Sequence, residues 1–301
     1  MNKQIITPFF SLLLLFVSVK GFSQERDSLN LQEIDSPINY YTQLSVGLNN
    51  PMYRDFATSP LFYSGFGLDL SAAWLKRADK RERIFEIGLG ISAQSPRVPE
   101  SNFIQAGGLA IFGNLRFFYQ ELWKLEALSN AKNNTKVGGA VITTQNIRVN
   151  TALQNNAMGL ENLLNIMASA QWTRDISRTE AKQLKLWFIK PTLKPVKRDL
   201  RFLLNVGVLN FNYRPGYAYS YDSEMNGTDT NPVSWVFSNY KWSLNGFRLK
   251  TQLEYIKYLP NGNARSLSYV WEAAHAPGKH EAFQMASHRL QYTIHFHTKK
   301  R

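Results

Sequence analysis

The sequence predicts an all-β protein, an antiparallel transmembrane β-barrel of about 12 strands, and three features carry that prediction. The last strand-like stretch, Arg289 to His297, alternates without a break. Leu290, Tyr292, Ile294 and Phe296 share one face, and Arg289, Gln291, Thr293, His295 and His297 share the other. The same pattern recurs upstream, and the chain opens with an export signal. A period of two marks a strand whose faces meet different environments.

The export signal is read from residues 1–23. Lys3 supplies the positive start, and Ile5 to Val19 is apolar except for Thr7, Pro8, Ser11 and Ser18. Gly21 and Ser23 take the small positions of a cleavage site, which puts the mature start near Gln24. As a helix the run rises about 22 Å, short of the roughly 30 Å hydrocarbon core, so it fits a signal peptide better than an anchor. The chain has no cysteine, so neither a lipid-modified cysteine nor a disulfide framework is expected. No other stretch reaches 18 uninterrupted apolar residues. A mean hydropathy of −0.31 is too low for a helical membrane protein but suits a barrel, in which half of each strand is polar.

The formal charge is +13, and removal of Lys3 and Lys20 with the signal leaves +11. Export argues against nucleic acid as the target of this charge. Anionic outer-membrane lipid, lipopolysaccharide or an acidic solute match it better. The 14 Tyr, 19 Phe and 7 Trp suit a membrane boundary, where a ring is half buried and its polar tip is wetted.

Residues 24–39 are polar and acidic, with Glu25, Asp27, Glu33 and Asp35 before Pro37, and read as a periplasmic arm. Strands then fill a barrel domain over 40–298, leaving a basic tail at 299–301. The clearest hairpin is Phe62–Trp74 with Phe85–Ala93, joined by the charged link Lys76 to Arg83. Further alternating segments are Tyr40–Leu48, Leu109–Tyr119, Leu164–Trp172, Leu184–Phe188, Phe202–Tyr213, Phe247–Tyr255 and Leu267–Ala273. A phase change at Leu209 suggests a bulge. Tyr217–Tyr221 and Val233–Leu244 are less regular, and Asn-Gly or Pro-Gly pairs punctuate the later segments. Residues 125–162, rich in Asn, read either as one long loop or as hiding a strand at Val141–Val149. Including that strand gives an odd number, which parity forbids for a single-chain bacterial barrel.

These segments resemble the Gram-negative outer-membrane β-barrel class over roughly residues 40–298, and no motif singles out one family within it. The resemblance implies a Sec-exported chain folded by the barrel-assembly machinery, with outer-membrane lipid, lipopolysaccharide and envelope proteins as partners. In that class the last strand usually ends on a terminal aromatic. Here Phe296 is followed by His297, Thr298, Lys299, Lys300 and Arg301.

Alternation assigns Asp69, Glu86, Arg116, Lys185, Arg248, Lys250, Glu254, Glu272, Arg289 and His295 to the barrel lumen. Both signs occur, so mutual pairing in a narrow barrel is expected. An open pore lined for anions is the alternative. Trp74, Trp172, Trp187, Trp271, Tyr292 and Phe296 read as membrane-interface anchors. Trp123, Trp235 and Trp242 extend that set.

The five histidines all lie between His275 and His297. They read as lumen lining and loop polarity, with no metal or cofactor implied. Ser287 precedes His288, but strand neighbours point to opposite faces. Ser266 or Ser268 could meet His295 across the lumen.

The expected function is non-enzymatic: a channel or porin-like barrel, or a membrane component of an envelope or export assembly. Alternatives are an outer-membrane enzyme acting on lipid or lipopolysaccharide, and a soluble periplasmic β-sandwich binding protein.

Overall fold

A computed structural model describes residues 38–97, 108–150, 152–153, 158–183, 192–215, 240–277 and 282–298. Its strands are β1 (Asn39–Asp55), β2 (Ser59–Arg77), β3 (Arg81–Arg97), β4 (Ala110–Lys124), β5 (Asn133–Asn150), β6 (Met158–Asp175), the two-residue β7 (Lys182–Gln183) and β8 (Thr192–Leu193), β9 (Arg198–Pro215), β10 (Tyr240–Leu244), β11 (Phe247–Tyr258), β12 (Ala264–Ala276) and β13 (Phe283–Thr298).

Antiparallel neighbours run β9-β11-β12-β13-β1-β2-β3-β4-β5-β6, and β6 pairs back onto β9. Ten strands therefore form a closed ring among the described residues, with β10 outside it and β7–β8 a separate small hairpin. Tyr40 pairs with Thr298, so the first and last strands are neighbours, and β1 starts at the end where β13 finishes. We call this the terminal end and the opposite one the distal end.

Sequence and structure differ in several places. The expected strand number was about 12 because short and irregular segments were counted separately. Tyr240–Leu244 pairs with Phe211–Pro215, and β11 pairs with Arg198–Val206 in the same register, so β10 continues β11 along β9. Gly246, at φ +90°, makes the interruption, and Asn210 and Asn212 donate to the carbonyls of Gly246 and Asn245 at 3.1 and 2.6 Å. In the 125–162 region the alternative with a strand at Val141–Val149 holds, but the strand is longer: the region contains all of β5 and the start of β6. The charged link after Trp74 is mostly strand, and the turn proper spans only residues 78–80. The bulge falls where the phase changes: Ile166 pairs with Leu209 and Met167 with Gly207, so Val208 is extra. Leu184–Phe188 and Tyr217–Tyr221 lie outside the described residues.

The alternation decides which face meets what. Phe66, Leu89 and Ile294 are 77, 54 and 37 % exposed, on the outer wall. Asp69, Gly90 and His295, at positions of the opposite parity on the same strands, are buried on the inner face. A β-sandwich would bury the apolar face, so that alternative is excluded. Close strand approach uses glycine where it is needed: a Cβ on Gly67 would lie 1.9 Å from the Ile91 carbonyl oxygen.

Leu70, 53 % exposed, tests the outer wall. Leu70→Arg should cost about 2–4 kcal/mol of folding free energy near the bilayer midplane, read by urea titration in phospholipid vesicles. A cost below about 0.5 kcal/mol, as for ordinary surface substitutions, would place Leu70 in water.

Candidate functional site: a packed, charged interior

The inner faces of ten strands converge on one space, and side chains fill it in three tiers. In the middle tier Arg116 of β4 reaches across two strands to Asp69 of β2. It donates from Nη1 to Oδ2 at 2.8 Å and from Nη2 to Oδ1 at 2.9 Å. Gln291 of β13 donates to the same carboxylate at 2.9 Å. Glu272 of β12 accepts from Arg248 Nε at 2.8 Å and from Arg289 Nη2 at 3.2 Å. Arg248 also donates to Asn165 at 2.9 Å and to Thr144 at 2.5 Å, which ties β11 to β6 and β5, strands it does not pair with. Lys250 lies 3.9 Å over the Phe118 ring.

Toward the terminal end, Glu82 accepts from Arg201 at 2.7 Å and from Arg77 at 3.0 Å, and Lys136 stands 3.6 Å away. Arg201 Nε donates to Glu254 at 2.8 Å. In the distal tier Arg148 donates to Asp55 at 2.6 Å and also to Glu161, while Arg214 donates to Asp55 at 3.1 Å. Aromatics seal this tier: Tyr53 stacks on Tyr63 and Phe112 at 5.0 and 5.5 Å. The Arg148 guanidinium lies over Tyr53 and Phe283 at 5.0 and 5.1 Å.

Burying this many charges is tolerable only because nearly every carboxylate meets a planar guanidinium with matched geometry. The space left between the tiers is a cavity of about 40 Å³, lined by Gln43, Glu86, Gln120, Lys250 and Glu254 among others. That is room for water rather than for a solute. At the terminal end a vestibule of about 590 Å³ opens beside Tyr41, Lys132, Asp175, Lys197 and His297.

Asp69, Arg116, Arg248, Lys250, Glu254, Glu272, Arg289 and His295 are all buried in this interior. Glu86 is partly buried, with Arg116 3.8 Å away. Lys185 and Trp187 lie outside the described residues. Trp74 and Trp172 lie on the outer wall toward the terminal end, and Trp74 stacks on Phe85 at 5.8 Å. Tyr292 and Phe296 are 40 and 41 % exposed on β13. Trp271 departs from the strand-end position expected of it: it pairs with Thr251 and His288 midway along β12.

Sequence reasoning missed Asp55, Arg77, Glu82, Lys136, Arg148, Glu161, Arg201 and Arg214. Each falls beyond a strand boundary drawn too short, in the 125–162 region left open between loop and strand, or at a position left unassigned. Carrying the inward parity of each strand a turn further would have found most of them.

The described histidines do not gather. His295 Nδ1 accepts from Gln43 Nε2 at 2.9 Å, and its Nε2 is hydrogen-bonded to Ser266 Oγ at 2.9 Å, with Glu254 3.7 Å from that Nε2. His288 lies on the outer wall, 2.6 Å from the Tyr269 hydroxyl, and Ser287 is buried on the other face. Among the described residues no three His, Asp or Glu side chains are grouped to hold a metal.

Fold and interior together define a transmembrane β-barrel with a packed lumen. No family model matches the chain, and no curated protein matches it. Among solved structures it is similar to the outer membrane protease OmpT from Escherichia coli, at 8 % identity and a TM-score of 0.47 over 88 % of this chain and 98 % of that one. It is also similar to the translocator domain of the autotransporter NalP from Neisseria meningitidis, at 10 % identity and 0.33 over 95 and 98 %. A third is Ail, the attachment invasion locus protein of Yersinia pestis, at 7 % and 0.30 over 85 and 98 %. All three are Gram-negative outer-membrane proteins. Likeness at this level carries no role across, and the closure of the ring rests on its own strand pairing.

Two predictions follow from this geometry. Arg116→Met leaves Asp69 short of its bidentate partner and should cost about 3–5 kcal/mol, whereas Arg116→Met with Asp69→Leu should recover most of it. Equal urea midpoints for the single and double variants would contradict the pairing. In the 78–80 turn, Asp79 accepts from Lys124 at 2.8 Å and from Asn134 at 2.7 Å, and the Lys124 bond holds its carboxyl below the ordinary value. A depressed carboxyl stabilises the fold above its ordinary pKa and loses that contribution as pH falls through the depressed one. A carbon-13 titration should show the Asp79 midpoint below that of free Asp and rising in Lys124→Met.

Proposed function

We propose that the chain resides in the outer membrane of a Gram-negative envelope as a non-conducting barrel, a membrane-embedded component of an envelope or export assembly rather than a pore. In this reading residues 1–23 are a signal peptide removed after Sec export, and the barrel-assembly machinery inserts the strands. The observation that carries it is the filled interior. Among the described residues, the aromatic seal of Tyr53, Tyr63, Phe112 and Phe283 and the Arg148–Asp55–Arg214 cluster stand between the terminal-end vestibule and the distal end. With the described interior filled in this way, the outer wall and the vestibule are the surfaces left for action.

The porin-like reading needs the Arg–carboxylate tiers to separate, which would strand buried charges. A lipid hydrolase has one specific observation in its favour, the Ser266–His295 contact. Nucleophilic catalysis asks more of that pair, namely an oriented base and access for the acyl group. The His295 Nδ1 meets the Gln43 amide rather than a carboxylate, and both residues face the packed lumen while lipid lies outside.

Planar-bilayer recording tests the proposal. Purified full-length protein, its insertion verified by heat-modifiable migration, should give no stepwise conductance above the bare bilayer. Steady single-channel steps from the wild-type protein would overturn the reading.

A further inference from the structure

At the terminal end of the outer wall, three cations stand directly opposite one another on adjacent strands. Arg198 of β9 pairs in register with Lys257 of β11, and Lys257 pairs with Arg265 of β12. Arg174 of β6, also exposed, lies one position along, opposite Leu200. Like charges facing each other across strands are destabilising, so the row has a cost unless an anion joins it. None comes from the described residues: Asp199 and Glu254 of the same strands turn inward, to Tyr258 at 2.7 Å and to Arg201 at 2.8 Å. Among the described residues no carboxylate pairs with Arg198, Lys257 or Arg265.

The row lies just beyond the apolar belt. Toward the membrane centre the same outer faces continue as Phe202, Leu253, Tyr255, Leu267 and Tyr269, all exposed. The Arg198 guanidinium donates to the Tyr255 hydroxyl at 3.3 Å. A lipid whose chains lie on these side chains would carry its phosphate to the height of the row, where each cation adds to binding. We propose that Arg198, Lys257 and Arg265 form a headgroup site for an anionic glycerophospholipid of the leaflet at the terminal end. This rests on the membrane placement proposed above, with the chain termini facing the periplasm. There the leaflet is phospholipid and not lipopolysaccharide.

The test uses full-length protein in neutral detergent mixed with phosphatidylcholine, phosphatidylglycerol or lipopolysaccharide, with retained lipid read by native mass spectrometry. Wild-type protein should retain phosphatidylglycerol over phosphatidylcholine by about tenfold. Lys257→Glu, which sets a carboxylate between Arg198 and Arg265, should remove that preference and raise the thermal midpoint in lipid-free detergent. Arg265→Gln serves if Lys257→Glu fails to fold. Equal retention of the two phospholipids, stronger retention of lipopolysaccharide, or an unchanged preference in the variants would overturn the site. A protein that inserts into vesicles yet shows no preference would do so while leaving the membrane placement intact.

Discussion

The pairing of Asn162–Asp175 on β6 with Asp199–Tyr213 on β9 turns a run of hairpins into a ring, and hydrocarbon leaves little alternative. An unpaired backbone amide or carbonyl facing lipid costs several kcal/mol, so a sheet of these strands is stable in a bilayer only when its two edges meet. The connection between those two strands is residues 176–197, which include β7 and β8. An even strand number then returns the chain to the end where it began. The place of the vestibule, the basic row and the aromatic seal along the barrel axis all descend from that closure.

Once the ring is closed, the polar half of every strand has nowhere to go but inward. A ring of ten strands is narrow enough for long side chains to reach across it. Arg116 crosses to Asp69, Arg248 to Thr144 and Asn165, and Arg201 to Glu82. Guanidinium groups suit this task because their fork meets a carboxylate at two points and still has donors for a third strand. The interior thus cross-links strands that share no backbone bonds. Filling and rigidity arise from the same contacts.

Much of this was legible in the sequence, but unevenly. The two-residue period over Phe62–Trp74, Phe85–Ala93 and Arg289–His297 was strong because large apolar groups alternate with Gly, Ser and single charges. It assigned Asp69, Glu86, Arg289 and His295 to one face. β5 was obscure because its outward positions include Gly139, Thr143 and Gln145, which weaken the apolar signal. Gln145 and Asn162 pair with each other on that wall at 3.4 Å. The strand number failed because periodicity cannot tell one interrupted run from two strands, as at Asn245–Gly246. Which charge meets which partner was beyond reach, since it depends on register and shear around the whole ring. Ser266 and His295 meet because Ala264 pairs with His295, a fact of register alone.

The central claim is that outward side chains meet lipid and inward ones meet each other, with no water column between. Because the chain has no cysteine, single cysteines can be introduced along 66–72 and spin-labelled in vesicles. Collision with oxygen reports lipid, and collision with a water-soluble nickel chelate reports an aqueous lumen. At Phe66, Leu68 and Leu70 the label should be open to oxygen and shielded from nickel. At Asp69 and Ser71 it should be shielded from both. Strong nickel collisions at Asp69 and Ser71 with an intact barrel, or shielding from oxygen at Leu68 and Leu70, would contradict the account.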